Sequence, residues 1–154
     1  MSPKEVSVLD MMEARDRRAG LRRRLKAAGF PVLHEELLDE FTGCEAFLAV
    51  DAGLPVLEQG LAEGLSLNDA GCAALLHILS AEADTNMIAR SSQETAEEIR
   101  GAIRELLQET PFPDRETLEA LDLRFRELNL SPGGSADLLA ICYLLHFMKT
   151  ETLV

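Results

Sequence analysis

Residues 128–148, LNLSPGGSADLLAICYLLHFM, contain a Ser-Pro-Gly-Gly-Ser turn that runs directly into one of the most apolar stretches of the chain. Ser131 is a favourable N-cap residue and Pro132 a favourable first helical residue, so we expect a helix over the remainder of this stretch. Gly133 and Gly134 need another explanation, because a buried helix gains no stability from two glycines in its first turn.

The rest of the chain is also typical of helices. Ser66 and Asp69 form a helix-start signature before LNDAGCAALLHILSAEA, and no alternating strand pattern occurs. The composition is 47% hydrophobic with no Trp, which favours helices packed through Leu, Ala, Val and Ile. Helices are expected at about residues 7–28, 33–50, 54–63, 67–83, 87–109, 114–128 and 132–148. The sequence therefore predicts an all-α fold, a single bundle of about six or seven helices.

The charge is unevenly distributed. The net charge is −12, but residues 1–28 carry +4 and residues 29–154 carry −16. This balance argues against general nucleic-acid binding. We divide the chain into a basic amphipathic N-terminal helix, residues 1–30, and a helical domain, residues 31–154. The basic helix either docks onto the acidic body, the more common use of such a pattern, or faces an anionic ligand or partner.

The cysteines and the apolar segments predict a cytoplasmic protein. Cys44, Cys72 and Cys142 are far apart, and no CxxC or Cys/His metal spacing occurs. The N-terminus has no apolar core of a signal peptide. The apolar run 136–148 is interrupted by polar residues and is too short to span a bilayer, so no membrane partner is expected.

The two glycines suggest an anion site. The first amide N–H groups of a helix have no internal partner, and a phosphate is a natural ligand there if no side chain obstructs it. Ser131 and Ser135 add hydroxyl groups to Gly133 and Gly134, and Asp137, further along the first turns, is suited to a divalent metal. The alternative is that the glycines let two helices pack closely, and the pattern alone does not choose between the two.

A second group of polar residues is DTNMIAR, residues 84–90. Asp84 and Asn86 offer oxygen ligands for Mg²⁺, and Arg90 lies one turn on, where it can pair with phosphate. The more common use of such a triplet is to cap a helix. Glu45, in TGCEAFLAV, is a further candidate because apolar residues flank it.

Together, residues 53–90 and 128–145 resemble the C-terminal half of the triphosphoribosyl-dephospho-CoA synthase family. The resemblance is carried by DTN, residues 84–86, and above all by SPGGSADLLA, residues 131–140, and it covers about residues 43–148. It implies transfer of the triphosphoribosyl group of ATP to 3′-dephospho-CoA with release of adenine. The product is the prosthetic-group precursor of the acyl carrier protein of citrate lyase or malonate decarboxylase.

The resemblance also implies roles for the candidate residues. Asp84 and Asp137 would hold Mg²⁺ or act as the catalytic base. The remaining candidates would bind phosphate or ribose: Asn86, Arg90, Ser131, Gly133, Gly134 and Ser135. Lyase or decarboxylase proteins, a second copy of the chain or a complementing chain would be its partners.

The sequence departs from the family in three places. Where the family has His-Arg-Gly-Gly, this chain has Ala89-Arg90-Ser91-Ser92, and near Glu45 the family's Arg and its Gly-Phe-Pro are missing. The family's N-terminal half, with a Gly-rich segment, has no counterpart. Residues 5–29 instead resemble the first helix of apo-citrate lyase phosphoribosyl-dephospho-CoA transferase. A non-catalytic relative that binds a nucleotide, a CoA-type ligand or a partner subunit is therefore the alternative.

Overall fold

The computed structural model describes residues 8–30, 46–82 and 84–151. Within these ranges the chain is helical and contains no strand, which confirms the all-α prediction. None of the described helices is long and apolar enough to cross a membrane. The helices are α1 (Val8–Ala27), a π-helical segment (Ala49–Gly53) that continues into α2 (Leu54–Ala62), α3 (Leu67–Ala81), α4 (Thr85–Arg90), α5 (Gln93–Glu109), α6 (Arg115–Glu127) and α7 (Gly133–Glu151).

Helix α3 lies at the centre and packs against α2, α5 and α7. Its small residues allow this close packing: Gly71, for example, leaves room for the ring of Tyr143 from α7. Ile78 belongs to a first core cluster with α1, α2 and α7, whereas Leu79, the next residue, belongs to a second cluster with α4 and α5. Helix α3 therefore separates two apolar cores and holds the other helices around them.

The end of the basic helix α1 docks onto the body, as the charge pattern favours. Leu21 and Leu25 are buried in the first core cluster. Arg24 forms an ion pair with Asp51 of the π-helical segment, with Nε and Oδ2 2.7 Å apart. Met12, which helical periodicity places on one apolar stripe with Leu21 and Leu25, is instead 57% exposed. Among the side chains that the structure describes, this stripe packs against the core through its C-terminal part.

Two of the predicted helix boundaries are wrong, and one predicted helix lies mostly outside the described residues. The helix expected at 87–109 is two helices, α4 and α5, because Ser92 caps a new helix by accepting a hydrogen bond from Thr95 N–H. Helix α7 begins at Gly133, one residue later than expected, with the carbonyl of Pro132 accepting from Ala136 N–H at 2.8 Å. Most of the helix expected at 33–50 lies outside the described residues.

Gly53, at the junction of the π-helical segment and α2, is fixed by close packing. A Cβ atom there would lie 2.5 Å from Cys142 Sγ and 2.8 Å from Ile78 Cδ1. Cys142 is fully buried, its thiol donates to the carbonyl of Ala49 at 3.4 Å, and burial raises its pKa to about 12. The thiol is therefore protonated at neutral pH and acts as a small core group.

We expect Gly53→Ala to destabilise the protein by about 1–3 kcal/mol, because the added methyl group overpacks a filled core. The control is Gly101→Ala in α5, where a Cβ atom meets nothing within 4 Å. That change should stabilise the protein by roughly 0.5–1 kcal/mol, since alanine is the better helix former. Urea unfolding followed by circular dichroism measures both, and equal effects of the two substitutions would contradict the packing argument.

Candidate functional site

The carboxylate of Asp84 connects the two polar motifs singled out in the sequence. Its Oδ1 accepts from the backbone N–H of Met87 at 3.1 Å, and its Oδ2 accepts from the backbone N–H of Ser135 at 2.9 Å. Ser135 is 51 residues away in sequence. The side chain of Asp84 is buried, with 6% of the residue exposed. One buried carboxylate thus joins the start of α4 to the start of α7.

The two hydrogen bonds have different origins. Met87 is three residues after Asp84, so the first bond is an ordinary N-terminal cap that the local sequence DTN encodes. The second bond is non-local. Pro132 precedes α7 and has no side-chain acceptor, and the N–H of Ser135, the third residue of the helix, bonds to Asp84, which precedes α4. The capping interpretation of DTN is therefore correct for Asp84, and the cap extends to a second helix.

This arrangement places a negative charge at two helix N-termini. Each helix carries a partial positive charge at this end, so the carboxylate is stabilised by both. The same carboxylate occupies the backbone amide of Ser135, whose hydroxyl is the group predicted to bind phosphate. A phosphate at α7 would therefore approach through the first two positions, Gly133 and Gly134, and would need a cation nearby to offset its repulsion by Asp84.

The other predicted site residues differ in how accessible they are. Ser135 is 5% exposed, while Ser131, Gly133 and Gly134 are half-buried. Asp137 and Arg90 are exposed. Glu45 lies outside the described residues, and the side chain of Asn86 is likewise not described. The start of α7 is thus the part of the predicted site that the structure defines best.

No group of three or more His, Cys, Asp or Glu side chains that could hold a metal ion occurs in the described part of the chain. Asp84 already uses both oxygens for amide groups, and Asp137 is exposed. A magnesium ion fits this donor set only if phosphates and water supply most of its ligands, which is its usual coordination at nucleotide sites.

Arg100 of α5 is the residue that sequence reasoning missed. It lines a small cavity of about 10 Å³ together with Asp84 and Met87. Its guanidinium donates to the carbonyls of Ser80 and Ala81, with Nε–O 3.2 Å and Nη2–O 3.0 Å. It thus stabilises the C-terminal end of α3 and brings a cation close to the carboxylate. No motif or spacing marks it, since only the packing of α5 on α3 places it there.

The chain is similar to known proteins over a range that includes the DTN and SPGG motifs. A model of the ATP:dephospho-CoA triphosphoribosyl transferase family matches residues 2–153. The 2-(5''-triphosphoribosyl)-3'-dephosphocoenzyme-A synthase of Escherichia fergusonii is 39% identical over 103 residues, 64% of this chain and 34% of the relative. The protein of the same name from Pectobacterium atrosepticum is 37% identical over 98 residues, 64% of this chain and 32% of the relative. The chain spans about a third of the length of these curated relatives. No solved structure matches.

We expect Asp84→Asn to destabilise the protein by about 1–3 kcal/mol, because the NH₂ group that replaces one carboxylate oxygen cannot accept from the buried N–H group that it faces. The control is Asp114→Asn at the exposed start of α6, where the side chain accepts from Thr117 N–H, 2.8 Å away, and from the Thr117 hydroxyl. Asparagine is an equally good N-cap there, so the loss should be clearly smaller. Thermal unfolding compares the two, and equal losses would show that the bond to Ser135 contributes nothing.

Proposed function

Because the chain belongs to the ATP:dephospho-CoA triphosphoribosyl transferase family, we propose that it transfers the triphosphoribosyl group of ATP to 3′-dephospho-CoA. The observation that supports this most is the pair of hydrogen bonds from Asp84 to Met87 and Ser135. They bring together the DTN and SPGG motifs on which the family resemblance depends. If each motif only capped its own helix, no hydrogen bond between the two motifs would be expected.

The proposed reaction is a substitution at the anomeric carbon of the ATP ribose. The bond from this carbon to the adenine nitrogen breaks, and a bond to the 2′-oxygen of dephospho-CoA forms. The hydroxyl proton is removed, and adenine leaves as a neutral base after taking up a proton. The transition state has oxocarbenium character, so nearby carboxylates stabilise it, while helix amides and cations hold the phosphates.

The residues divide into positioning and contact roles. Asp84 fixes the starts of α4 and α7 relative to each other and adds negative charge. Gly133, Gly134 and the hydroxyl of Ser131 face the phosphates, and exposed Asp137 acts as the base or as a ligand of Mg²⁺. Arg90, with Asn86, binds phosphate or ribose. If Mg²⁺ is bound, it neutralises phosphate charge near these carboxylates.

The alternative proposal is a relative that binds a nucleotide or CoA-type ligand without turnover. It rests on Ala89, Ser91 and Ser92, which replace a histidine and two glycines of the family pattern. The phosphate-binding start of α7 would then remain while catalysis is lost.

We expect the pure chain, incubated with ATP, Mg²⁺ and dephospho-CoA, to release adenine, which is measured by chromatography. Asp137→Asn should lower the rate by roughly 10²- to 10⁴-fold, the range for loss of a general base. Glu98→Gln, an exposed acid on α5 outside the site, is the matched control and should retain the rate.

The outcomes separate the two proposals. Adenine that appears only when dephospho-CoA is present supports the transferase. Thermal stabilisation by ATP without adenine release supports the binding relative. Undiminished turnover of Asp137→Asn contradicts the role of this residue. If the transferase proposal holds, its product serves citrate lyase or malonate decarboxylase in the cytoplasm, where ATP is available.

The exposed surface of α7 suggests that the partner is a second copy of this chain. Ala136, Ala140, Leu144 and Phe147 are all exposed and recur at helical spacing, which makes one continuous apolar stripe. Leu144 and Phe147 are 42% and 46% exposed. Such a stripe is typical of a surface that packs against another helix, so we propose a homodimer formed through α7.

Light scattering at micromolar concentration should therefore give the mass of a dimer. Leu144→Glu should shift the protein to a monomer, because it places a charge in the apolar stripe. The control is Leu123→Glu, a 58% exposed leucine on α6 that should leave the dimer intact. A wild-type chain that is monomeric under these conditions contradicts the homodimer.

A further inference from the structure

An apolar slot lies between α3 and α6, next to the start of α7. It has a volume of about 290 Å³ and is open to solvent along one side. Leu75 and Leu79 of α3 form one wall, and Leu121 and Phe125 of α6 form the other. The slot ends at Leu130, Ser131 and Pro132, which lead directly into α7. It is thus continuous with the proposed phosphate site.

The slot is larger than a packing defect. Protein interiors rarely leave voids bigger than a water molecule, and this volume is close to the lower limit for small-molecule pockets, about 300 Å³. Helix α6 has no buried residue of its own. Its apolar residues Leu118, Leu121 and Phe125 are only partly buried against the second core cluster. An apolar helix face held half-covered over an open slot indicates that a ligand completes the packing.

The chemistry of the slot selects a flat, uncharged ring. Two apolar helix faces oppose each other across it, and Phe125 offers an aromatic face for stacking. Its polar groups lie at the rim, where Asp122 and Arg126 form an exposed ion pair of 3.0 Å. Exposed pairs of this kind are weak, so the Asp122 carboxylate is available to accept a bond from an amino group on the ring edge. A triphosphate would not enter such walls, whereas a purine base would.

We propose that this slot binds the adenine base of ATP; the inference rests on the proposed function and adds to it the site of the leaving group. A base stacked on Phe125 lies beside Ser131 and Pro132, so its ribose and phosphates extend towards Gly133 and Gly134. The solvent-open side gives the released adenine a way out. We assign ATP rather than dephospho-CoA, because only the adenine of ATP must leave the enzyme as a free neutral base.

The test is to measure the equilibrium binding of ATP, dephospho-CoA and inorganic tripolyphosphate by calorimetry. Leu121→Trp fills the slot and Phe125→Ala removes the stacking ring, and each should raise the Kd of ATP at least tenfold. Both should leave the Kd of tripolyphosphate unchanged. Leu123→Trp, on the exposed side of α6, is the matched control and should bind ATP like the wild type. Free adenine should compete with ATP in the wild type.

Each result decides a separate point. Variants that fold, as judged by circular dichroism, and bind ATP like the wild type overturn the slot while the proposed function stands. Weaker binding of dephospho-CoA with unchanged binding of ATP overturns the assignment to ATP. If the wild type binds neither ATP nor tripolyphosphate, the proposed function fails, and this inference fails with it. If Leu121→Trp does not fold, Phe125→Ala still tests ATP binding in the slot, because removing a side chain creates no steric clash.

Discussion

The shared carboxylate of Asp84 is the interaction on which the rest of the site depends. A buried carboxylate is costly unless its oxygens are hydrogen-bonded, and here two backbone amides from two helices satisfy it. Because the amides of Met87 and Ser135 belong to different helix starts, the charge fixes both at once. Helix α7, whose Ser135 N–H bonds to Asp84, is thereby oriented by a residue 51 positions away in the sequence.

The position of Asp84 depends in turn on α3. This helix is buried among α2, α5 and α7, and its small residues let those helices approach closely. Its C-terminal carbonyls accept hydrogen bonds from Arg100 and Arg104 of α5, which places positive charge at the negative end of the helix dipole. Asp84, which precedes α4, bonds to the start of α7. The geometry of the polar site therefore depends on how α3 is packed in the core.

The electrostatics of the site favour a ligand that brings both charge and an apolar ring. Asp84 and exposed Asp137 add negative charge near α7, and the helix amides and Arg100, which lines a cavity with Asp84, oppose it. On the other side of Ser131 the surface becomes the leucine-lined slot between α3 and α6. A nucleotide has this division between a charged chain and a neutral base, whereas inorganic phosphate or a peptide has not.

The sequence by itself determined the helical class and most helix boundaries, because capping residues and periodicity are local. It also placed Asp84 and the SPGG turn among the candidates, since these residue types cap helices and bind anions in any fold. It did not separate α4 from α5 at Ser92, where a serine cap competes with continued helical propensity. Only the tertiary structure joined Asp84 to Ser135, placed Arg100 in the same cavity as Asp84 and formed the slot between α3 and α6, because contacts between residues far apart in the chain depend on how α3 is buried.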